Sequence, residues 1–165
     1  MKTVYFIRHA KSSWSDSSLS DFDRPLNARG FRDAEFMSKV LEGKGVRADQ
    51  LISSTANRAY TTATYFADTV GHGVEAIRKE EKIYEAFAET VLQIIAELDD
   101  ELETVILFGH NPTFTSLSNW YSDDYIPNVP TCGIVKVEAD VEHWRDFDKE
   151  RAKRTAFYYP KQFFT

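Results

Sequence analysis

The stretch Val4-Tyr5-Phe6-Ile7-Arg8-His9 places a run of β-branched and aromatic residues directly before an arginine and a histidine. Such a run predicts a buried strand, approximately Thr3–Ile7. Ligands of open α/β sheets bind beyond the carboxyl ends of the strands. The sequence therefore predicts that Arg8 and His9 lie at a ligand-binding edge.

Two later junctions repeat this arrangement. Arg58 follows the short strand-like run Gln50–Ser53, and His110 follows the run Thr104–Phe108. Each of the two opens a helix-like segment, and the free N–H groups of a helix amino terminus favour an anion. Isolated residues of these types are more often structural, but three such junctions together indicate a shared pocket.

The whole chain alternates strand-like and helix-like segments, which is typical of an α/β protein with a parallel sheet covered on both faces. Asn27 is predicted to cap the first helix, Ser54 or Thr55 the second, and Asn111 the last, with Pro112 at its first helical position. A long polar loop covers residues 12–25. The other predicted elements are a third strand Val74–Ile77, a helix beginning near Ala88, and strands Gly133–Glu138 and Thr155–Tyr159.

Composition limits the class of protein. The chain has 165 residues and 42% hydrophobic residues, which predicts one globular domain over residues 1–165. A single cysteine, Cys132, indicates a reducing compartment, and no run is long enough for a membrane span or a signal segment. The net charge of −6 argues against a nucleic-acid partner. We expect a cytoplasmic protein without a nucleic-acid or membrane partner.

The residue types at the three junctions favour phosphoryl chemistry over a metal. Arginine offers a planar fork for two oxygens of a phosphate, whereas a metal site needs neutral histidines with carboxylates or thiolates. An imidazole can also be the nucleophile, if its second ring nitrogen donates to a backbone carbonyl. His9 is the candidate nucleophile, and Arg8, Arg58 and His110 are the candidates for stabilising charge on the transferred group.

Four segments resemble the histidine phosphatase superfamily, which has the phosphoglycerate-mutase-like fold. They are Phe6–Trp14, Asp23–Gly30, Ser53–Ala63 and Gly109–Pro112. The family usually has glycine after the first histidine. The sequence Ala10-Lys11-Ser12 found here instead resembles that of the short SixA-type phosphohistidine phosphatase branch. The resemblance implies a three-layer α/β/α sandwich with a mostly parallel central sheet, no metal and no organic cofactor.

The resemblance also implies roles for individual residues. It makes His9 the phosphate acceptor and assigns Arg8, Arg58 and His110 to the phosphate pocket. Glu85 occupies a position similar to that of the general acid of the superfamily. The alternative interpretation of Glu85 is a solvated loop carboxylate, and the alternative acids are Asp16, Asp21 and Asp23 in the first loop.

The expected function is hydrolysis of a phosphomonoester or phosphoramidate through a phosphohistidine on His9. The short loops imply an open pocket, so a phosphorylated protein, with phosphohistidine as the phosphorylated residue, is the first expected substrate. The alternatives are a phosphatase of a small phosphorylated metabolite and a non-catalytic phosphate-binding adaptor on the same fold.

Overall fold

A computed structural model of the protein describes residues 1–164. Within this range the chain forms six strands: β1 Lys2–Arg8, β2 Gln50–Ser53, β3 Ile77–Lys79, β4 Thr104–Gly109, β5 Ile134–Ala139 and β6 Lys153–Tyr158. Four α-helices alternate with them: α1 Ala28–Gly43, α2 Asn57–Thr69, α3 Ala88–Ala96 and α4 Thr113–Trp120.

The strands form one sheet in the order β3-β2-β4-β1-β5-β6. The first four strands are parallel, whereas β5 pairs antiparallel with both β1 and β6. β1 lies between β4 and β5, so its carboxyl end is next to the carboxyl end of β4. This topology places Arg8 opposite Gly109, one residue before His110.

The two faces of the sheet pack into separate hydrophobic cores. Val4 and Phe6 of β1 pack with residues of α3 and α4, whereas Tyr5 and Ile7 pack with residues of α1 and α2. Successive side chains of a strand point to opposite faces, so a strand buried on both sides needs a continuous apolar run. The predicted three-layer α/β/α sandwich with a mostly parallel sheet is confirmed.

Helix α1 begins as the sequence predicts. The side chain of Asn27 accepts a hydrogen bond from the Gly30 N–H at 2.9 Å, which satisfies one of the free donors of the first turn. The helix ends at Gly43, and Gly45 follows with a φ of +72°, a conformation that glycine adopts without strain.

Three local predictions are wrong. Residues Val74–Ala76 form a 3₁₀ turn. The strand begins only at Ile77, which is the first residue of β3 to pair with β2, opposite Leu51. Neither Ser54 nor Thr55 is the N-cap of α2, because the helix begins at Asn57 after Ala56. Helix α4 begins at Thr113, one residue later than predicted.

No helix among residues 1–164 has both the length and the apolar character that crossing a membrane requires.

Candidate active site

The site lies where the carboxyl ends of β1, β2 and β4 meet. His9 directly follows β1, and its backbone N–H donates to the Gly109 carbonyl at the end of β4. The ring centroids of His9 and His110 are 5.2 Å apart. Arg58 joins them from the first turn of α2 and is buried, as are both histidines.

The tautomer of His9 follows from its hydrogen bond. Its Nδ1 lies 2.7 Å from the carbonyl oxygen of Ala10, which can only accept, so Nδ1 carries the proton. Burial lowers the pKa of His9 to about 3, and the neighbouring His110, Arg58 and Arg8 act in the same direction against the Ala10 hydrogen bond. The ring is therefore neutral at pH 7 and keeps a lone pair on Nε2.

Arg58 is held by the first loop. Its two terminal nitrogens donate to Asp21, one to the backbone carbonyl at 2.7 Å and one to the carboxylate at 3.0 Å. The same carboxylate accepts from the Tyr84 hydroxyl at 2.7 Å and from the guanidinium of Arg24. Partial burial raises the pKa of Asp21, but the hydrogen bonds from Tyr84 and Arg58 outweigh this and lower it to about 2.

Helix α2 is also tied to the loop after β1. The Thr62 hydroxyl accepts from the Ala10 N–H at 3.0 Å and donates to the Arg58 carbonyl at 2.7 Å. On the other side, Arg8 donates from one terminal nitrogen to the Val129 carbonyl at 2.9 Å. Backbone and side-chain bonds thus fix the cations relative to His9 before any ligand arrives.

Three buried nitrogens of this site have no hydrogen-bond partner among residues 1–164: Arg8 Nε, Arg58 Nε and His110 Nδ1. Buried polar groups are almost always paired, so unpaired nitrogens on three neighbours of His9 indicate that the site accommodates a hydrogen-bonding ligand. An anion with several oxygens would satisfy them. The two guanidinium groups are positive at any working pH and repel a metal cation.

His110 is neutral in the free protein. Burial lowers its pKa to about 4, and the nearby Arg58 contributes in the same direction. Its Nε2 lies 2.8 Å from the hydroxyl oxygen of Ser54, the residue that follows β2. The sequence pattern indicates no role for Ser54 beyond a possible helix cap.

The general-acid candidates separate in space. Asp16 and Asp23 bond to Ser18 and Ser20 within the first loop, whereas Asp21 contacts Arg58 directly. Glu85 is exposed and has a φ of +56°, an unusual backbone conformation for a residue with a side chain.

Glu85 lines a cavity of about 410 Å³ that also reaches His110. The remaining lining residues are Ala86, Phe87, Ala88, Asn111, Pro112, Thr113 and Ser116, none of them a cation. The structure thus brings His9, Arg8, Arg58 and His110 together, and it places Glu85 in a neighbouring cavity.

Two residues of the candidate active site, Tyr84 and Ser54, were not predicted from the sequence to contact it. Tyr84 bonds to Asp21 across 63 positions of sequence, and its ring packs edge-on against His110 at 5.6 Å. Ser54 meets His110 across 56 positions. The proximity of Asp21 and Arg24 in Asp21-Phe22-Asp23-Arg24 is the one local signal that could have indicated an anchored loop.

Comparison with known proteins places this chain in a superfamily. Residues 4–90 match the model of the histidine phosphatase superfamily, branch 1. The chain belongs to this superfamily, and the resemblance that the four segments predicted is confirmed. Membership supports phosphatase activity.

Individual relatives are also similar over nearly the full chain. An uncharacterised protein of Mycobacterium tuberculosis is 30% identical, covering 94% of this chain and 100% of its own. The structure of a protein of Agrobacterium tumefaciens, assigned as a phosphohistidine phosphatase SixA, is 30% identical with a TM-score of 0.80 over 96% of this chain and 98% of that one. A phosphoserine phosphatase of Entamoeba histolytica, 15% identical over 95% and 96% with a TM-score of 0.66, shares the fold.

Proposed function

We propose that this protein is a phosphatase that transfers a phosphoryl group from phosphohistidine of a protein to His9 and then to water. The observation that carries the proposal is a neutral, buried His9 whose neighbours Arg8, Arg58 and His110 each have an unpaired buried nitrogen. This arrangement supplies a nucleophile and charge-stabilising donors in one place.

Two displacements at phosphorus complete the reaction. In the first, the lone pair of His9 Nε2 forms a P–N bond while the bond to the leaving nitrogen breaks, and that nitrogen keeps the electron pair. A leaving imidazole protonated on its second nitrogen departs as a neutral ring. In the second, water attacks phosphorus, the bond to Nε2 breaks with its electrons returning to His9, and inorganic phosphate leaves.

The preference for phosphohistidine rests on the cavity beside His110. Its lining is mostly apolar, and its charged member is the carboxylate of Glu85. A carboxylated metabolite such as phosphoserine would bring a second negative charge toward Glu85, with no cation in the lining to compensate it. A neutral or cationic imidazole avoids this repulsion and can pack against Phe87 and Pro112.

A substrate panel tests the proposal. The purified protein should release phosphate from a phosphohistidine-bearing protein faster than from phosphoserine or a sugar phosphate at equal concentration. His9→Gln should abolish release, whereas His143→Gln, which alters a half-buried histidine outside the site, should not. Faster turnover of a small metabolite would support the alternative substrate class, and phosphate binding without any turnover would support an adaptor.

Glu85 can be tested with the same panel. A general acid contributes roughly 10²–10⁴ in rate when an alkoxide must leave. An imidazole needs this help little, because the ring can already carry a proton near neutral pH. If Glu85 is the acid, Glu85→Gln should slow alkyl phosphate hydrolysis strongly and phosphohistidine hydrolysis little. An equal loss on both substrates would indicate a structural role.

We also propose that the reaction needs no metal, since Arg8 and Arg58 supply the positive charge that a metal would otherwise provide. Chelating agents should leave turnover unchanged. Activity lost on chelation and restored by an added divalent cation would contradict this part of the proposal.

A further inference from the structure

The two ring nitrogens of His110 have different surroundings. Nε2 lies 2.8 Å from the Ser54 hydroxyl oxygen, and Nδ1 is buried without a partner among the described residues. A neutral imidazole carries one proton, so one nitrogen donates and the other accepts. The nitrogen that carries the proton decides whether His110 presents a donor or a lone pair to a bound phosphoryl group.

The hydrogen bonds of Ser54 settle which nitrogen it is. Ser54 is fully buried, and its hydroxyl oxygen already accepts from the Ala56 N–H at 3.2 Å. If Nε2 of His110 also donated, the oxygen would accept twice and the hydroxyl proton would be left without an acceptor. If the hydroxyl donates to Nε2, the side chains of Ser54 and His110 are fully paired except at Nδ1 of His110.

The backbone holds the two residues in this relation. The Ser54 N–H donates to the Phe108 carbonyl at 3.0 Å, so the end of β2 is joined to β4 two residues before His110. The preceding serine, Ser53 at the end of β2, does not share the role, because its hydroxyl donates to the Ser54 carbonyl at 2.9 Å.

We propose that Ser54 is a positioning residue that fixes the tautomer of His110, so that Nδ1 carries the proton and donates to the transferred phosphoryl group. The second half of this statement rests on the proposed function. The first half concerns the free protein alone. Without the Ser54 hydroxyl, His110 can hold its proton on Nε2, and Nδ1 then turns a lone pair toward the phosphoryl oxygens.

Nitrogen NMR of the histidine side chains tests the tautomer directly. The protein is labelled with ¹⁵N in its histidines and measured in phosphate-free buffer at pH 7.5. The wild type should show His110 with the proton on Nδ1, and Ser54→Ala should shift the population toward protonated Nε2. Ser53→Ala removes a neighbouring buried hydroxyl and should leave the tautomer unchanged.

Turnover provides the second measurement. Ser54→Ala should lower kcat by about 10²-fold, the loss expected for one oxyanion donor, and Ser53→Ala should remain near the wild-type rate. A protonated Nε2 in the wild type would overturn the proposal even if Ser54→Ala fails to fold. An unchanged tautomer in a folded Ser54→Ala protein would overturn it as well. Because the NMR measurement needs no substrate, a failure of the proposed function cannot be mistaken for either result.

Discussion

At the scale of single residues, His9 combines a low pKa with an available lone pair on Nε2. Burial keeps His9 uncharged, and the Ala10 carbonyl leaves the proton on Nδ1. The cations beside it are anchored through contacts on their far sides, such as Arg8 on the Val129 carbonyl. Such preorganised donors need little rearrangement when charge develops on the phosphoryl oxygens.

Replacing Arg58 by lysine tests the geometry of these donors. Lysine keeps the charge but has one ammonium group in place of a planar fork, so it cannot hold Asp21 and a phosphoryl oxygen together. Turnover by Arg58→Lys should fall on the order of 10²–10³-fold. Arg151→Lys, which changes an exposed arginine paired with Asp148, is the matched control. A rate within a few-fold of the wild type for Arg58→Lys would show that charge alone suffices.

At the scale of elements, the strand ends position the chemistry. The sequence was sufficient to predict them, because buried strands need continuous β-branched and aromatic runs and these end sharply at Arg8 and Gly109. The prediction of a strand at 74–77 was wrong, because the start of β3 depends on the pairing of Ile77 with Leu51 of β2. The local sequence does not encode this long-range pairing.

The helix starts near the site were harder to predict for a related reason. Serine is a preferred N-cap residue, yet α2 begins three residues after Ser54 and the Ser54 hydroxyl contacts His110. Asn111 accepts from the Thr115 N–H at 3.0 Å although the helix begins at Thr113. Contacts such as Tyr84 with Asp21 join distant segments, so no local pattern reveals them.

Helix α1 supports the loop that follows His9, and its glycines provide a matched pair of variants. A Cβ at Gly30 would lie 2.1 Å from the carbonyl oxygen of Lys11, so the helix or the loop must move. Gly30→Ala should lower the free energy of unfolding by roughly 1–3 kcal/mol and reduce turnover. A Cβ at Gly43 meets nothing within 4 Å, so Gly43→Ala should be neutral or stabilising by up to about 1 kcal/mol.

Chemical denaturation of both variants measures these differences. Equal stabilities for Gly30→Ala and Gly43→Ala would contradict the close approach of the helix to Lys11.

At the scale of the whole molecule, the buried histidines couple stability to pH. The pKa of His9 falls from 6.5 to about 3 on folding, because burial penalises the charged ring. Between these values the unfolded chain binds a proton that the folded chain does not, so stability is lost as pH falls. The effect is on the order of 2 kcal/mol at pH 5 for His9, and His110 adds to it in the same direction.

Melting temperatures in phosphate-free buffer at pH 7.5 and pH 5 measure this coupling. The wild type should lose more stability between the two values than His9→Gln, whose side chain does not titrate. Identical losses for both proteins would show that His9 is not held neutral by the fold.

The central claim, a phosphoryl group carried by His9, is tested most directly by trapping it. Turnover of a chromogenic phosphate ester is quenched in base, because P–N bonds survive base and are lost in acid. The phosphorylated protein is then digested and analysed by mass spectrometry and ³¹P NMR. The account predicts phosphate on Nε2 of His9 and none in His9→Gln. An acid-stable adduct, a phosphoryl group on another residue, or undiminished turnover in His9→Gln would contradict the account.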